Sequence, residues 1–200
     1  MSSDIEFEVP SWDEIYDMLL RLAEKIGRAR FHPDVILGIC RGGWPPARVM
    51  SDLLENPELA NVKVEFYIGI SEVKSKPVIT QPVSTSMENK RVLIMDDVAD
   101  TGESLILVKE DVMKQGAKET KIATIYFKPW SKITPDYYEK ETKCWVVFPW
   151  ERKETVRSLV KRCIKENTPV KEAKAKLVKG GLDPRLAAKF IREVVGEETV

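Results

Sequence analysis

Apolar positions recur along this chain at two periods, and the alternation between them sets out the architecture. Ser11, followed three residues later by Glu14, has the spacing of a helix capping box. Ile15, Met18, Leu19, Leu22 and Ile26 then repeat at helical period, with Gly27 as the expected stop. The run 34–40 (DVILGIC) is almost wholly apolar, as suits a strand covered on both faces of a parallel sheet. Arg41-Gly42-Gly43 follows, and Trp44-Pro45-Pro46 opens a helix with Val49, Leu53 and Leu54 on one stripe. Residues 62–70 alternate as a strand. Residues 71–89 hold two prolines, several hydroxyls and little periodicity, which reads as a mobile functional loop or a segment carrying a short hairpin.

The second half begins with a strand at 92–95. A helix at 104–115 turns Leu105, Val108 and Val112 inward and stops at Gly116. A strand at 121–127 ends in Lys128-Pro129-Trp130. A loop containing Pro135-Asp136-Tyr137-Tyr138 leads to the apolar run 144–148 and to Pro149-Trp150-Glu151. Beyond this the strand signal disappears, and 153–166, 169–178 and 184–195 read as three helices. The alternation predicts an α/β fold, a doubly wound parallel sheet flanked by helices, with ligands at the carboxyl ends of the strands. Residues 1–151 form the expected core domain and 152–200 a helical C-terminal extension.

Composition narrows the function more than the fold. Lys+Arg and Asp+Glu balance at 32 each, so no global field draws nucleic acid to the chain. Residues 151–200 are locally basic, with 13 Lys+Arg against 8 Asp+Glu, which reads as a solvated helical face. Cys40, Cys144 and Cys163 are widely spaced and odd in number, which matches neither a zinc site nor a secreted disulfide framework. The opening MSSDIEFEVPSWDE lacks the apolar core of a signal peptide, and no apolar run approaches a membrane span. A cytoplasmic protein without membrane contact is expected.

Every cluster with chemical potential follows a strand. Asp96 and Asp97 are adjacent carboxylates, costly to bury and mutually repulsive. Such a pair serves to accept hydrogen bonds from a diol or to hold Mg²⁺, directly or through water. Asp100-Thr101-Gly102-Glu103-Ser104 adds backbone N–H groups, two hydroxyls and a helix N-terminus, a setting that suits a phosphate monoester. The Walker pattern GxxxxGK[ST] is absent.

The stretch VLIMDDVADTGES resembles the signature of the type I phosphoribosyltransferases for phosphoribosyl pyrophosphate (PRPP). An Asp just before Thr-Gly is most similar to the 6-oxopurine members. The resemblance implies that Asp96 and Asp97 hold the ribose hydroxyls and that Asp100 faces N7 of the purine as general base or hydrogen-bond partner. It implies a 5′-phosphate cradle from Thr101, Gly102 and Ser104, with Ala99 and Glu103 in the same PRPP loop. Glu103 departs from the lysine of many relatives, and its side chain is expected to point away. Arg41-Gly42-Gly43 resembles the pyrophosphate loop of the bacterial xanthine-guanine enzymes, where the peptide between Arg and Gly can be cis.

Lys128 resembles the lysine that reads O6 of the purine; an ammonium donates to a carbonyl and repels an amino group. The segment 145–151 is similar to the hood of the xanthine-guanine enzymes. That implies stacking of Trp145 on the purine, an edge contact from the Val146 backbone, and help from Glu151 in holding metal or a base substituent. A flap over the site is expected within 71–89, with Ser75-Lys76 and Ser84-Thr85-Ser86 as candidates to close it.

The reading is a Mg²⁺-dependent 6-oxopurine phosphoribosyltransferase acting on PRPP and a free purine base, with a dimer or tetramer implied by the family. Arg41 and Asp100 are its catalytic candidates and Asp96, Asp97 and Glu151 its metal candidates. Two alternatives stand beside it. One is a phosphoribosyltransferase for adenine or a pyrimidine; the other is a regulator that senses PRPP or nucleotide and uses the basic tail.

Overall fold

The computed structural model describes residues 5–55, 58–67 and 76–198. Packing divides the chain into two compact units, 15–142 and the pair of segments 1–14 and 143–200. Helix α1, Trp12–Arg28, starts as its sequence predicts. The Ser11 N–H donates to Glu14 Oε2 at 2.7 Å and the Glu14 N–H to Ser11 Oγ at 3.1 Å, the reciprocal pair of a capping box. Gly27 lies inside the helix rather than ending it; the reversal falls at Arg30, which takes a positive φ of 55°.

The unit 15–142 is built on six strands. They are β2 (Val35–Cys40), β3 (Leu59–Tyr67), β4 (Lys76–Gln81), β5 (Arg91–Ala99), β6 (Glu119–Phe127) and β7 (Tyr137–Glu141). Their spatial order is β4-β3-β2-β5-β6-β7, parallel throughout except for β4, which runs antiparallel to β3. Crossover helices α2 (Trp44–Leu53) and α3 (Glu103–Lys114) follow β2 and β5. One core joins Leu37, Ile39, Val62, Val92, Ile94, Leu105, Val108 and Val112. The inward face of α3 is the predicted one. That of α2 is not: Pro46, Ala47 and Met50 are buried, while Val49, Leu53 and Leu54 are only partly so. The helix begins right after Gly43, and this phase sets its first turn against the sheet.

Three segments differ from the sequence reading. Within 71–89, residues Lys76–Gln81 form strand β4, antiparallel to β3; residues 68–75, Ser75 among them, lie outside the described residues. Strand β5 does not stop at Met95 but continues through Asp96 and Asp97 to Ala99, because its partner β6 keeps pairing to Phe127. Segment 137–141, expected as loop, is the sixth strand. Its sequence YYEKE hides the strand because it is an edge, held by Glu139, whose carboxylate takes Arg21 and Lys25 at 2.6 Å each.

In the second unit, β1 (Phe7–Glu8) pairs in parallel with β8 (Trp145–Val146), so only two residues of the apolar run 144–148 are strand. Helices α4 (Arg152–Glu166), α5 (Val170–Lys179) and α6 (Pro184–Glu198) complete it, close to their predicted spans. Val9, Val147, Val156, Val160, Leu177, Leu182, Ala187 and Val194 form its core. The hood segment packs with the three helices within this unit, which also takes in the N-terminal strand. That strand bonds β8 on one side, and the Val9 N–H donates to the Gly180 carbonyl at 2.9 Å. Among the described residues no helix is long and apolar enough to cross a membrane.

Candidate active site

The loop after β2 is shaped by the absence of side chains. A Cβ on Gly43 would sit 2.4 Å from the Met95 carbonyl oxygen and 2.8 Å from Asp96 Cα, inside the backbone of β5. Only glycine lets the two strand ends approach this closely. A Cβ on Gly42 would lie 2.1 Å from Asp97 Oδ2, so the Asp97 carboxylate rests directly over the bare backbone of this loop. The Gly43 N–H donates to Ile39 O at 2.8 Å and closes the turn. A cis peptide is present, but it joins Cys40 to Arg41, one residue earlier than expected from the resemblance. The turn therefore begins at the last residue of β2, and the Arg41 side chain is exposed.

The two acids of β5 are not equivalent. Neighbours in a strand face opposite sides of a sheet. Asp97, 8% exposed, covers the glycine loop. Asp96 turns its carboxylate back to accept the Asp97 N–H at 3.0 Å. Burial, and then the charge of Asp97, push the Asp96 carboxyl well above its ordinary value of 3.8, against the pull of that N–H. On β6 the fully buried Thr124 pairs in register with Asp96, and its hydroxyl has no hydrogen-bond partner. The half-buried Cys40 thiol is raised as well, first by burial and then by Asp96.

Beyond Ala99 the chain forms the loop Asp100-Thr101-Gly102 into α3. Gly102 is the N-cap, at a φ of 78°, and has no side chain to cap the helix. The Glu103 N–H donates to Thr101 Oγ1 at 3.4 Å, and the positive end of the helix dipole faces this loop, a setting that suits an anion. Thr101 is exposed and Ser104 half-buried. The Glu103 carboxylate is paired with Lys132 Nζ.

A second loop, 128–133, is bound along this one. The Lys128 N–H donates to Ala99 O and the Lys132 N–H to Thr101 O, both at 3.0 Å. A Cβ on Gly102 would meet Ser131 Oγ at 2.6 Å. Trp130 Nε1 donates to Asp100 Oδ1 at 2.8 Å. Lys128 is 5% exposed, and its ammonium stands 5.5 Å from the centre of the Trp130 ring. Asp100 and Lys128, 28 residues apart, thus project from two hydrogen-bonded loops at the carboxyl ends of β5 and β6. Sequence reasoning passed over Trp130 and Lys132. The one available signal was their place directly after Lys128.

The remaining candidates belong to the other unit. Trp145 is 53% exposed, so its ring is not used in a core. Val146 is buried in β8. Trp150, by contrast, stacks on Phe148 at 4.9 Å and lies 5.6 Å from Trp12. Glu151 precedes α4 as its N-cap residue, and its Oε1 lies 3.4 Å from the Phe148 N–H. Among the described residues no group of three or more His, Cys, Asp or Glu side chains could hold a metal ion.

Comparison with known proteins settles what kind of chain presents this arrangement. The phosphoribosyl transferase domain matches residues 11–157, most of the chain. The chain belongs to the phosphoribosyltransferase family. Among its relatives, a xanthine-guanine phosphoribosyltransferase of Cereibacter sphaeroides is 30% identical, over 70% of this chain and 84% of that one. Another of that name, from Gluconobacter oxydans, is 26% identical, over 74% and 86%. The solved purine phosphoribosyltransferase of Pyrococcus horikoshii Ot3 is 42% identical, with a TM-score of 0.67, over 73% of this chain and 94% of that one.

Proposed function

We propose that this phosphoribosyltransferase serves purine salvage, joining the phosphoribosyl group of PRPP to a 6-oxopurine to give the nucleoside 5′-monophosphate and pyrophosphate. One observation carries the reading. The hydrogen bond from the Lys128 N–H to Ala99 O ties the loop that carries buried Lys128 to the loop that carries Asp100, and both side chains meet Trp130. A 6-oxopurine presents a carbonyl acceptor at O6 beside N7; adenine presents an amino group where the ammonium would stand. The xanthine-guanine relatives support the same substrate class. Adenine offers Lys128 no carbonyl to read, and Asp100, Arg41 and Lys128 together favour an enzyme over a regulator.

The roles follow from placement. The N-terminus of α3, with Thr101, Gly102 and Ser104, takes the 5′-phosphate through backbone N–H groups and hydroxyls. Ala99 and Glu103 frame that loop, and the Lys132 pairing keeps the Glu103 charge occupied. Asp96 and Asp97 accept the ribose hydroxyls. Gly42 and Gly43 let backbone approach the pyrophosphate, and Arg41 meets its charge as it departs. Asp100 accepts or holds the proton near N7 while the bond from N9 to C1′ forms.

The Asp96–Asp97 pair also fits Mg²⁺. The donors are oxygen, and the absence of a side chain at Gly42 lets the Asp97 carboxylate stand directly against that loop. Mg²⁺ commonly takes one or two carboxylates and completes its shell with substrate phosphates and water, so a third protein ligand is not required. When bound, Mg²⁺ would neutralise charge on the pyrophosphate. Glu151 is left out of this set and remains a candidate for a base substituent; Trp145 and Val146 remain assigned to the purine. A cytoplasmic setting and a dimer or tetramer complete the proposal, the latter to be read from mass in solution.

Two measurements test it. With PRPP and Mg²⁺, pyrophosphate release is expected with guanine, hypoxanthine or xanthine and not with adenine. Equal rates with adenine contradict the role of Lys128. Asp100→Asn is expected to retain PRPP binding and to lower turnover by roughly 10²–10⁴, the usual contribution of a general base.

A further inference from the structure

We propose that Trp130 is a positioning residue that fixes the purine-reading pair, Asp100 and Lys128, as one unit. Its indole N–H donates to Asp100 Oδ1 at 2.8 Å, and its ring face receives the Lys128 ammonium at 5.5 Å. Asp100 is exposed at a loop tip, where a carboxylate otherwise samples several rotamers. Lys128 is a four-carbon stem whose head could reach several acceptors. Trp130 reduces both freedoms with one rigid side chain. A cation 5.5 Å from an indole centroid lies within the range of attraction to the ring.

The bond is held in place by backbone. The Ser131 N–H donates to Lys128 O at 3.0 Å and forms the turn that aims residue 130. The contacts of Lys132 with Thr101 and Glu103 then tie the loop down on the far side of Trp130. Trp130 is 53% exposed, so packing does not account for an indole at this position. Positioning to within a fraction of an ångström is where such a contact influences rate.

The inference rests on the roles proposed for Asp100 and Lys128, and its test separates the two. Trp130→Phe keeps a ring face and removes the N–H; Trp130→Leu removes both. With hypoxanthine and PRPP, Trp130→Phe should lower kcat about ten-fold, with KM for PRPP unchanged. Trp130→Leu should in addition raise KM for hypoxanthine several-fold. The double variant Trp130→Phe/Asp100→Asn should be no slower than Asp100→Asn alone, since the base that Trp130 positions is already lost. Thermal melting of each variant should match the parent, as a half-exposed side chain predicts. Losses that multiply in the double variant, or a Trp130→Phe enzyme with unchanged kcat beside a slow Asp100→Asn, overturn this inference and leave the function standing. An Asp100→Asn enzyme with unchanged turnover overturns both.

Discussion

The two ends of the same pair of strands treat charge in opposite ways. At the amino ends of β2 and β5, Asp34 accepts from the Arg91 backbone N–H at 2.7 Å and from its guanidinium at 3.2 and 3.3 Å. Close by in the fold, Glu58 accepts from Thr85 Oγ1 at 2.6 Å and from Lys90 Nζ at 2.8 Å. Both acids are lowered from their ordinary values, Asp34 first by its hydrogen bond to the Arg91 side chain and Glu58 first by Lys90. At the carboxyl ends, Asp96 is raised by burial and by Asp97. One end completes its electrostatics within the chain. The other sets two carboxylates side by side against the glycine loop after β2. The first arrangement stabilises the fold; the second is the one proposed to serve PRPP.

Substitution at the crowded end should therefore separate activity from stability. Asp96→Asn removes one of two repelling charges. It should lower kcat/KM for PRPP by roughly 10- to 150-fold, the loss expected for one charged hydrogen-bond acceptor at about 1.5–3 kcal/mol. The free protein should melt at the same temperature or higher. A fall of several degrees in Tm would make Asp96 a structural acid and erase the contrast.

The glycine loop sharpens the comparison by geometry instead of charge. Gly43→Ala drives a methyl group into the Met95 carbonyl, 2.4 Å away, and backbone cannot yield there as a side-chain tip can. A destabilisation of about 1–3 kcal/mol, typical of overpacking, is expected together with loss of PRPP binding. Gly27→Ala is the control. Nothing lies within 4 Å of its added methyl, the residue is helical, and about 0.5–1 kcal/mol of stabilisation should follow. Chemical denaturation of both variants decides; equal effects would mean that the approach of the two strands is not what requires glycine.

The same asymmetry governs what the sequence discloses. Buried strands β2 and β6 and the inward face of α3 are legible because a continuous apolar run or a 3.6-residue period has one packing solution. The PRPP loop is legible because Asp96 to Ser104 lie consecutively. Strand β7 is hidden because an edge strand carries charge on purpose, and its register depends on Asp136, which ties back to Ile122 N at 2.8 Å and to Lys121. The grouping of residues 5–10 with the C-terminal helices is hidden for a different reason: it depends on Gly180 meeting Val9 across 171 positions, and no local pattern encodes that. Trp130 is hidden because a tryptophan after a lysine carries no signal until folding brings Asp100 to its indole.

The smallest expected effect lies at the satisfied end, and there its sign matters more than its size. Glu58 is more than a third exposed, so solvent screens its pairing, and Glu58→Gln should cost about 0.5 kcal/mol with turnover unchanged. Its carboxyl and that of Asp34 are depressed in the folded protein, so their contribution is present above the ordinary values of 4.5 and 3.8 and is lost as pH falls through the lower folded values. The Tm difference between parent and Glu58→Gln should hold constant from pH 7 to about pH 5 and close in stronger acid. A difference that instead grew on acidification would mean that Glu58 is repelled, not held, in the native fold. The two ends of the strands would then differ in position but not in kind.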